Sequence, residues 1–124
     1  MYNDLIVEHF TSPSYVGDID TPDLEYELGN SVCGDRIRIH VKTTDGFITD
    51  IAFRAWGCAT SVATADIFCN SVKGQSLEDI NKRESQNIAS MLGELEPSQY
   101  HCLDILKELH SSLLSEIMEG EFDG

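Results

Sequence analysis

Positive charge is scarce in this sequence. Eight Lys and Arg stand against 22 Asp and Glu, a formal net charge of −14. Nucleic acid and anionic membrane both demand a basic footprint, so neither is expected as a partner. An acidic surface suits a well-solvated protein, or one that meets a basic protein partner. Long apolar runs are missing as well, and nothing approaches the ~20 residues of a membrane-spanning helix. The opening, Met1-Tyr2-Asn3-Asp4, lacks the basic stretch of a secretory leader, so a cytoplasmic protein with reduced thiols is expected. There is no CxxC pair, which removes the local signature of zinc ribbons and thioredoxin-like redox sites. No phosphate-binding glycine loop, Ser/His/Asp arrangement or basic aromatic patch is present either.

What remains is a chain of 124 residues, 41% hydrophobic, expected to fold as one domain over residues 1–124 with a core of its own. Residues 2–11 predict a short helix, with Leu5, Ile6, His9 and Phe10 at helical spacing and Asn3 or Asp4 as its cap. Leu24, Tyr26 and Leu28 alternate with Glu25 and Glu27 and predict a first strand ending at Gly29-Asn30. Ile37, Ile39 and Val41 alternate with Arg36, Arg38, His40 and Lys42 in a second strand over 36–42. Asp45-Gly46 is a hairpin turn, and a third strand follows over 47–56 with Phe47, Ile51, Phe53 and Ala55 on one face. Three strands joined this way make an antiparallel meander.

After Trp56-Gly57-Cys58 the period changes to 3.6. A small-residue helix is expected to Val72, with Gly74 just past its end. Ser76 caps a short helix or turn, residues 84–92 form another up to Gly93, and Ser98 caps a last helix over 99–118. That helix carries an apolar stripe of Cys102, Leu106, Leu109, Leu113 and Ile117, and the tail Glu119–Gly124 is expected to fray. Helices packed on one face of a three-stranded antiparallel sheet define an α+β two-layer fold.

Four cysteines bear on function: Cys33, Cys58, Cys69 and Cys102. Scattered thiols in a chain without a leader point to metal or redox chemistry rather than disulfides. Cys33 sits on the turn before the second strand, with Gly34 and Asp35 beside it favouring a ligand loop over simple burial. Cys58 and Cys102 each begin a helix, where unpaired N–H groups and the dipole favour the thiolate. Cys102 also lies on the apolar stripe, so burial competes there, but His101 adds a second ligand type beside it. Cys69 lies on the same helix as Cys58, roughly 16 Å away along the axis. One small centre cannot use both, and Cys69 reads as core. His9, His40 and His110 read as packing or surface. Three thiolates with Asp35 or His101 make a four-ligand set suited to zinc or to an iron–sulfur cluster; the pattern alone does not choose.

The combination Asn30-Ser31-Val32-Cys33-Gly34-Asp35, Trp56-Gly57-Cys58-Ala59-Thr60-Ser61 and His101-Cys102 resembles the IscU/NifU-type iron–sulfur cluster assembly scaffolds. Val7-Glu8-His9-Phe10, Ser12-Pro13, Val16-Gly17 and Val72-Lys73-Gly74-Gln75-Ser76-Leu77 resemble the same family. The resemblance implies a SufE/IscU-like fold and a scaffold or carrier rather than a turnover enzyme. It implies a transient [2Fe–2S] cluster built from iron and desulfurase-derived sulfur on Cys33, Cys58 and Cys102, with Cys102 accepting sulfur. It implies that Asp35 makes the cluster releasable and that His101 sits at the site's edge. The implied partners are a cysteine desulfurase, iron or electron donors such as a frataxin-like protein and a ferredoxin, and acceptor apoproteins. An Hsp70-type chaperone is not expected, because Leu95-Glu96-Pro97-Ser98-Gln99 lacks the lysine and second proline of the family's Leu-Pro-Pro-Val-Lys segment. Cys33-Gly34-Asp35-Arg36-Ile37 looks more like the SufU branch, zinc-binding sulfur acceptors of the same fold. Those chains have an insertion before the last cysteine and a lysine in place of His101. This chain has neither, so SufU-like sulfur transfer is the second reading.

Overall fold

The computed structural model describes residues 3–30, 35–57, 59–97 and 100–120, with only the backbone described at Asn30, Asp35 and 118–120. Helix α1 spans Asp4–Thr11, and Asn3 caps it by accepting a hydrogen bond from the Ile6 amide. The Asn3 side-chain amide also donates to the carbonyls of Leu92 at 2.7 Å and Glu94 at 2.8 Å, tying the start of the chain to a distant turn.

Strands β1 (Leu24–Asn30), β2 (Asp35–Thr44) and β3 (Phe47–Trp56) form an antiparallel sheet in the order β1-β2-β3. The period-2 reading holds for β2, where Ile37, Ile39 and Val41 are buried on the inner face. Asp45 (φ 53) and Gly46 (φ 83) turn the β2–β3 hairpin with positive φ at both positions, as a two-residue primed turn requires.

Phe47 does not join the inner face as its spacing suggests. Thr43 pairs with Ile48 while Lys42 pairs with Asp50, so Thr49 is an extra residue on β3. That bulge reverses the alternation. Ile48 is therefore buried with Ile51 and Phe53, and Phe47 is exposed. The outer face is partly covered too. Residues 15–17 run beside β3, with the Gly17 amide bonded to the Phe53 carbonyl and the Phe53 amide to the Tyr15 carbonyl. His40, on that face, is buried, and its Nδ1 accepts from the Ile19 amide at 3.0 Å.

Helix α2 (Ala59–Val72) lies over the inner face between α1 and α5 (Tyr100–Gly120), and α5 also packs on β1. Its small residues permit this central place. Thr60, Ser61, Ala63, Thr64, Ala65, Asp66, Ile67, Phe68, Cys69 and Val72 are all buried, several on faces that a peripheral helix would expose. Short helices α3 (Leu77–Asn81) and α4 (Ser85–Ser90) connect α2 to α5, and Ser76 caps α3 by accepting from the Asp79 amide. The predicted stripe on α5 is the inner face of that helix. Cys102, Leu106, Leu109 and Leu113 are fully buried, with Ile117 partly so. Each buried Leu contributes about 1.5–3 kcal/mol relative to exposure. The helix continues through Gly120, two residues into the stretch expected to fray. Cys33, Cys58 and the Ser98 cap lie outside the described residues.

Candidate functional site

Sheet register brings the site's flanks together. Asn30 pairs with Asp35 at the end of the β1–β2 ladder, and the adjacent residue Arg36 pairs with Trp56 at the end of β3. The segment 31–34 therefore joins β1 to β2 at the same sheet end from which β3 passes into α2. Gly57 makes that passage with φ 143, a backbone that residues with a Cβ rarely adopt. Two residues into α2, Thr60 is 1% exposed, and its Oγ1 lies 3.0 Å from Nε2 of His101, the second residue of α5. Cys102 follows, fully buried, with Sγ 3.9 Å from the same Nε2. The first turns of α2 and α5 thus meet at the sheet end where β2 begins.

This arrangement suits anionic sulfur. Two helix N-termini meet here, and their partial positive charge favours anionic sulfur while the full burial of Cys102 opposes it. The neighbourhood adds cations in an otherwise acidic chain. Arg36 stacks over the half-exposed Trp56 ring at 4.4 Å, and Arg38 stands 5.7 Å from that ring's centre. Glu27 pairs with Arg36, and Asp18 pairs with both Arg38 and Arg54. Trp56 and Tyr100 are large exposed rings flanking the region.

Of the residues singled out from sequence, His101 and Cys102 are in contact, and His101 is exposed at the surface. Asp35 is the first residue of β2; its side chain, Cys33 and Cys58 lie outside the described part. Among the described residues, no group of three or more His, Cys, Asp or Glu is arranged to hold a metal ion. Cys69 is fully buried on α2, and burial followed by the nearby Asp66 pushes its thiol well above the ordinary range. It is core, as its spacing indicates.

The other histidines have work elsewhere. His110 is buried, with Nδ1 2.8 Å from the Leu106 carbonyl and Nε2 3.0 Å from Arg83 Nη1. Arg83 also donates to the carbonyl and hydroxyl of Ser71. With Arg83 donating to Nε2, the proton sits on Nδ1. His9 Nδ1 stands 2.6 Å from Oδ2 of the fully buried Asp66, whose Oδ1 accepts from the Ser14 and Tyr15 amides at 2.8 and 2.9 Å. The sequence reading missed Asp66 and Thr60. The available signal was a carboxylate inside the small and apolar run Ala63-Thr64-Ala65-Asp66-Ile67-Phe68, where an unpaired charge is costly.

A family model described as the NifU-like N terminal domain matches residues 1–116. The iron–sulfur cluster assembly scaffold protein IscU 1 of Archaeoglobus fulgidus is 36% identical over 105 residues, covering 85% of this chain and 69% of its own. The N-terminal part of a nitrogen-fixing NifU-like protein from Brucella abortus superposes with a TM-score of 0.61 at 17% identity, covering 93% of this chain and 81% of that one. A protein from Fervidobacterium Islandicum, described as a cluster assembly scaffold for the SUF system, gives 0.61 at 19% identity, with coverage of 91% and 88%. At those identities the two superpositions speak for the fold alone, and equally for both branches. The family match, the IscU relative and the α+β architecture agree: the chain belongs to the NifU/IscU family.

Proposed function

We propose that this protein is a scaffold on which a [2Fe–2S] cluster is assembled on Cys33, Cys58 and Cys102 and then handed to acceptor apoproteins. The observation that carries the reading is the meeting of His101 and Cys102 with the first turn of α2, at the sheet end where β2 begins. Relatives named as cluster assembly scaffolds support it. Cluster and iron are cargo here, not resident cofactors.

Sulfur delivery follows from thiolate chemistry. Cys102 is fully buried at rest, so docking of the desulfurase must first uncover it; its thiolate then attacks the outer sulfur of the desulfurase persulfide. The desulfurase S–S bond breaks, its cysteine leaves as a thiolate, and Cys102 carries the new persulfide. Releasing that sulfur as sulfide takes two electrons from a reductant such as a ferredoxin, and a frataxin-like protein is the proposed iron-side partner. Asp35 or His101 completes the four-ligand set. Carboxylate and imidazole hold a cluster less firmly than thiolate does, which suits a carrier. The absence of the chaperone segment at Leu95–Gln99 argues for handover without a dedicated Hsp70. We place this chemistry in the cytoplasm; among the described residues, no helix is long and apolar enough to cross a membrane.

The second reading, a zinc-bound sulfur acceptor of the SufU kind, is favoured by one feature, the run Cys33-Gly34-Asp35-Arg36-Ile37. Reconstitution separates the two. Anaerobic incubation with a cysteine desulfurase, cysteine and ferrous iron should develop the visible charge-transfer absorbance of a cluster, and Cys58→Ser should lose it. An active desulfurase with no colour, together with stoichiometric tightly held zinc, would transfer the conclusion to the second reading.

A further inference from the structure

We propose that Thr60 competes with the cargo for the Nε2 atom of His101, and so sets how readily the site lets go of what it holds. The inference deepens the scaffold reading and rests on it.

Thr60 is 1% exposed and lies in the first turn of a buried helix, where close packing leaves its side chain little room. Its hydroxyl lies 3.0 Å from His101 Nε2. Either tautomer engages the same ring atom. The hydroxyl donates to the Nε2 lone pair, or Nε2–H donates to Thr60 Oγ1. A metal binds through a ring lone pair, so ligation by Nε2 requires that this hydrogen bond break.

Nε2 is also the ring atom close to the thiol. It stands 3.9 Å from Cys102 Sγ. Sulfur and nitrogen ligands of one tetrahedral ion, at ~2.3 and ~2.05 Å from it, stand about 3.5 Å apart. Nε2 and Sγ thus hold nearly the separation of two ligands on one centre, and Thr60 occupies one of the two. The opposing geometry has Nδ1 as the ligand and Nε2–H resting on Thr60, in which case Thr60 would strengthen binding. The two geometries give opposite signs.

Co(II) titration of the reduced apoprotein, followed by its thiolate charge-transfer and ligand-field bands, reads that sign. Thr60→Val removes the hydroxyl at nearly constant shape, and Thr60→Ser keeps it. We expect Thr60→Val to bind Co(II) roughly fivefold tighter, the equivalent of one neutral hydrogen bond of ~1 kcal/mol. Thr60→Ser should match the wild type, and a His101→Ala background should erase the difference. The ¹⁵N imidazole shifts of the zinc-loaded wild type give an independent answer that needs no variant at Thr60: Nε2 should carry the metal and Nδ1 the proton. Equal or weaker Co(II) binding by folded Thr60→Val, a gain that survives His101→Ala, or metal on Nδ1 would overturn the inference while leaving the scaffold reading intact. A wild type that binds no Co(II) would remove both.

Discussion

Asp66 gives the sharpest prediction about what holds the fold in place. Its carboxylate is fully buried and receives the His9 ring at 2.6 Å and the Ser14 and Tyr15 amides at 2.8 and 2.9 Å. Those three groups fasten α1 and the loop after it to α2. Hydrogen bonds to a charged group contribute ~1.5–3 kcal/mol each, but three on one carboxylate do not add fully. Removing the shared acceptor leaves its buried donors unsatisfied, at ~1–3 kcal/mol each and less than additive. Asp66→Ala is therefore expected to lose ~3–5 kcal/mol of a stability of order 5–15 kcal/mol. Asp66→Asn keeps an acceptor for the two amides and should lose less, about 1–3 kcal/mol. Urea denaturation with tryptophan fluorescence measures both against the wild type. Hydrogen exchange should localise the damage to α1 and residues 14–17. An Asp66→Ala protein within ~1 kcal/mol of the wild type would refute the reasoning, since two buried amides and the His9 ring would lose their acceptor.

His110 should make stability fall on the acid side. Burial, and secondarily the Arg83 charge, lower its pKa against a raising contribution from the Leu106 carbonyl. The unfolded chain therefore binds more protons than the native one below about pH 6.5, so stability should drop as pH falls through that value and level off above it. Replacement by Gln, which keeps hydrogen-bonding capacity without a titrating ring, should flatten that part of the slope in urea titrations from pH 5 to 8; an unchanged slope would exonerate His110. Cys69, with its thiol raised by burial, should resist iodoacetamide in the native protein at pH 8 and react only on unfolding, as read by peptide mass spectrometry. Labelling of Cys69 in the native state would contradict its place in the core.

Local rules carried much of the fold. Alternation in β2, the Asp45-Gly46 turn, the Asn3 and Ser76 caps and the α5 stripe each depend on neighbours a few residues apart, and each is where the spacing indicates. Phe47 escaped because a single extra residue, Thr49, inverts the face of the strand before it. Whether a bulge forms is decided by the partner strand, which local alternation does not contain. Asp66 with His9, Thr60 with His101, and Arg83 with His110 escaped for a related reason. Their partners are 57, 41 and 27 residues away, and only the packing of α1, α2, α5 and the α3–α4 connection brings them together. The His101-Cys102 pair was legible because it is adjacent in the chain. The residue that engages His101 was not.

The central claim is that the protein builds a cluster in order to give it away. Cluster transfer tests this most directly. The reconstituted protein is mixed anaerobically with an apo-ferredoxin, and the visible circular dichroism of the acceptor's cluster is followed with time. The scaffold account predicts that the acceptor signal grows to near-stoichiometric yield as the donor signal disappears, and that Asp35→Ala slows this transfer without preventing assembly. A cluster that assembles and then stays on this chain, in the wild type as in Asp35→Ala, would contradict it.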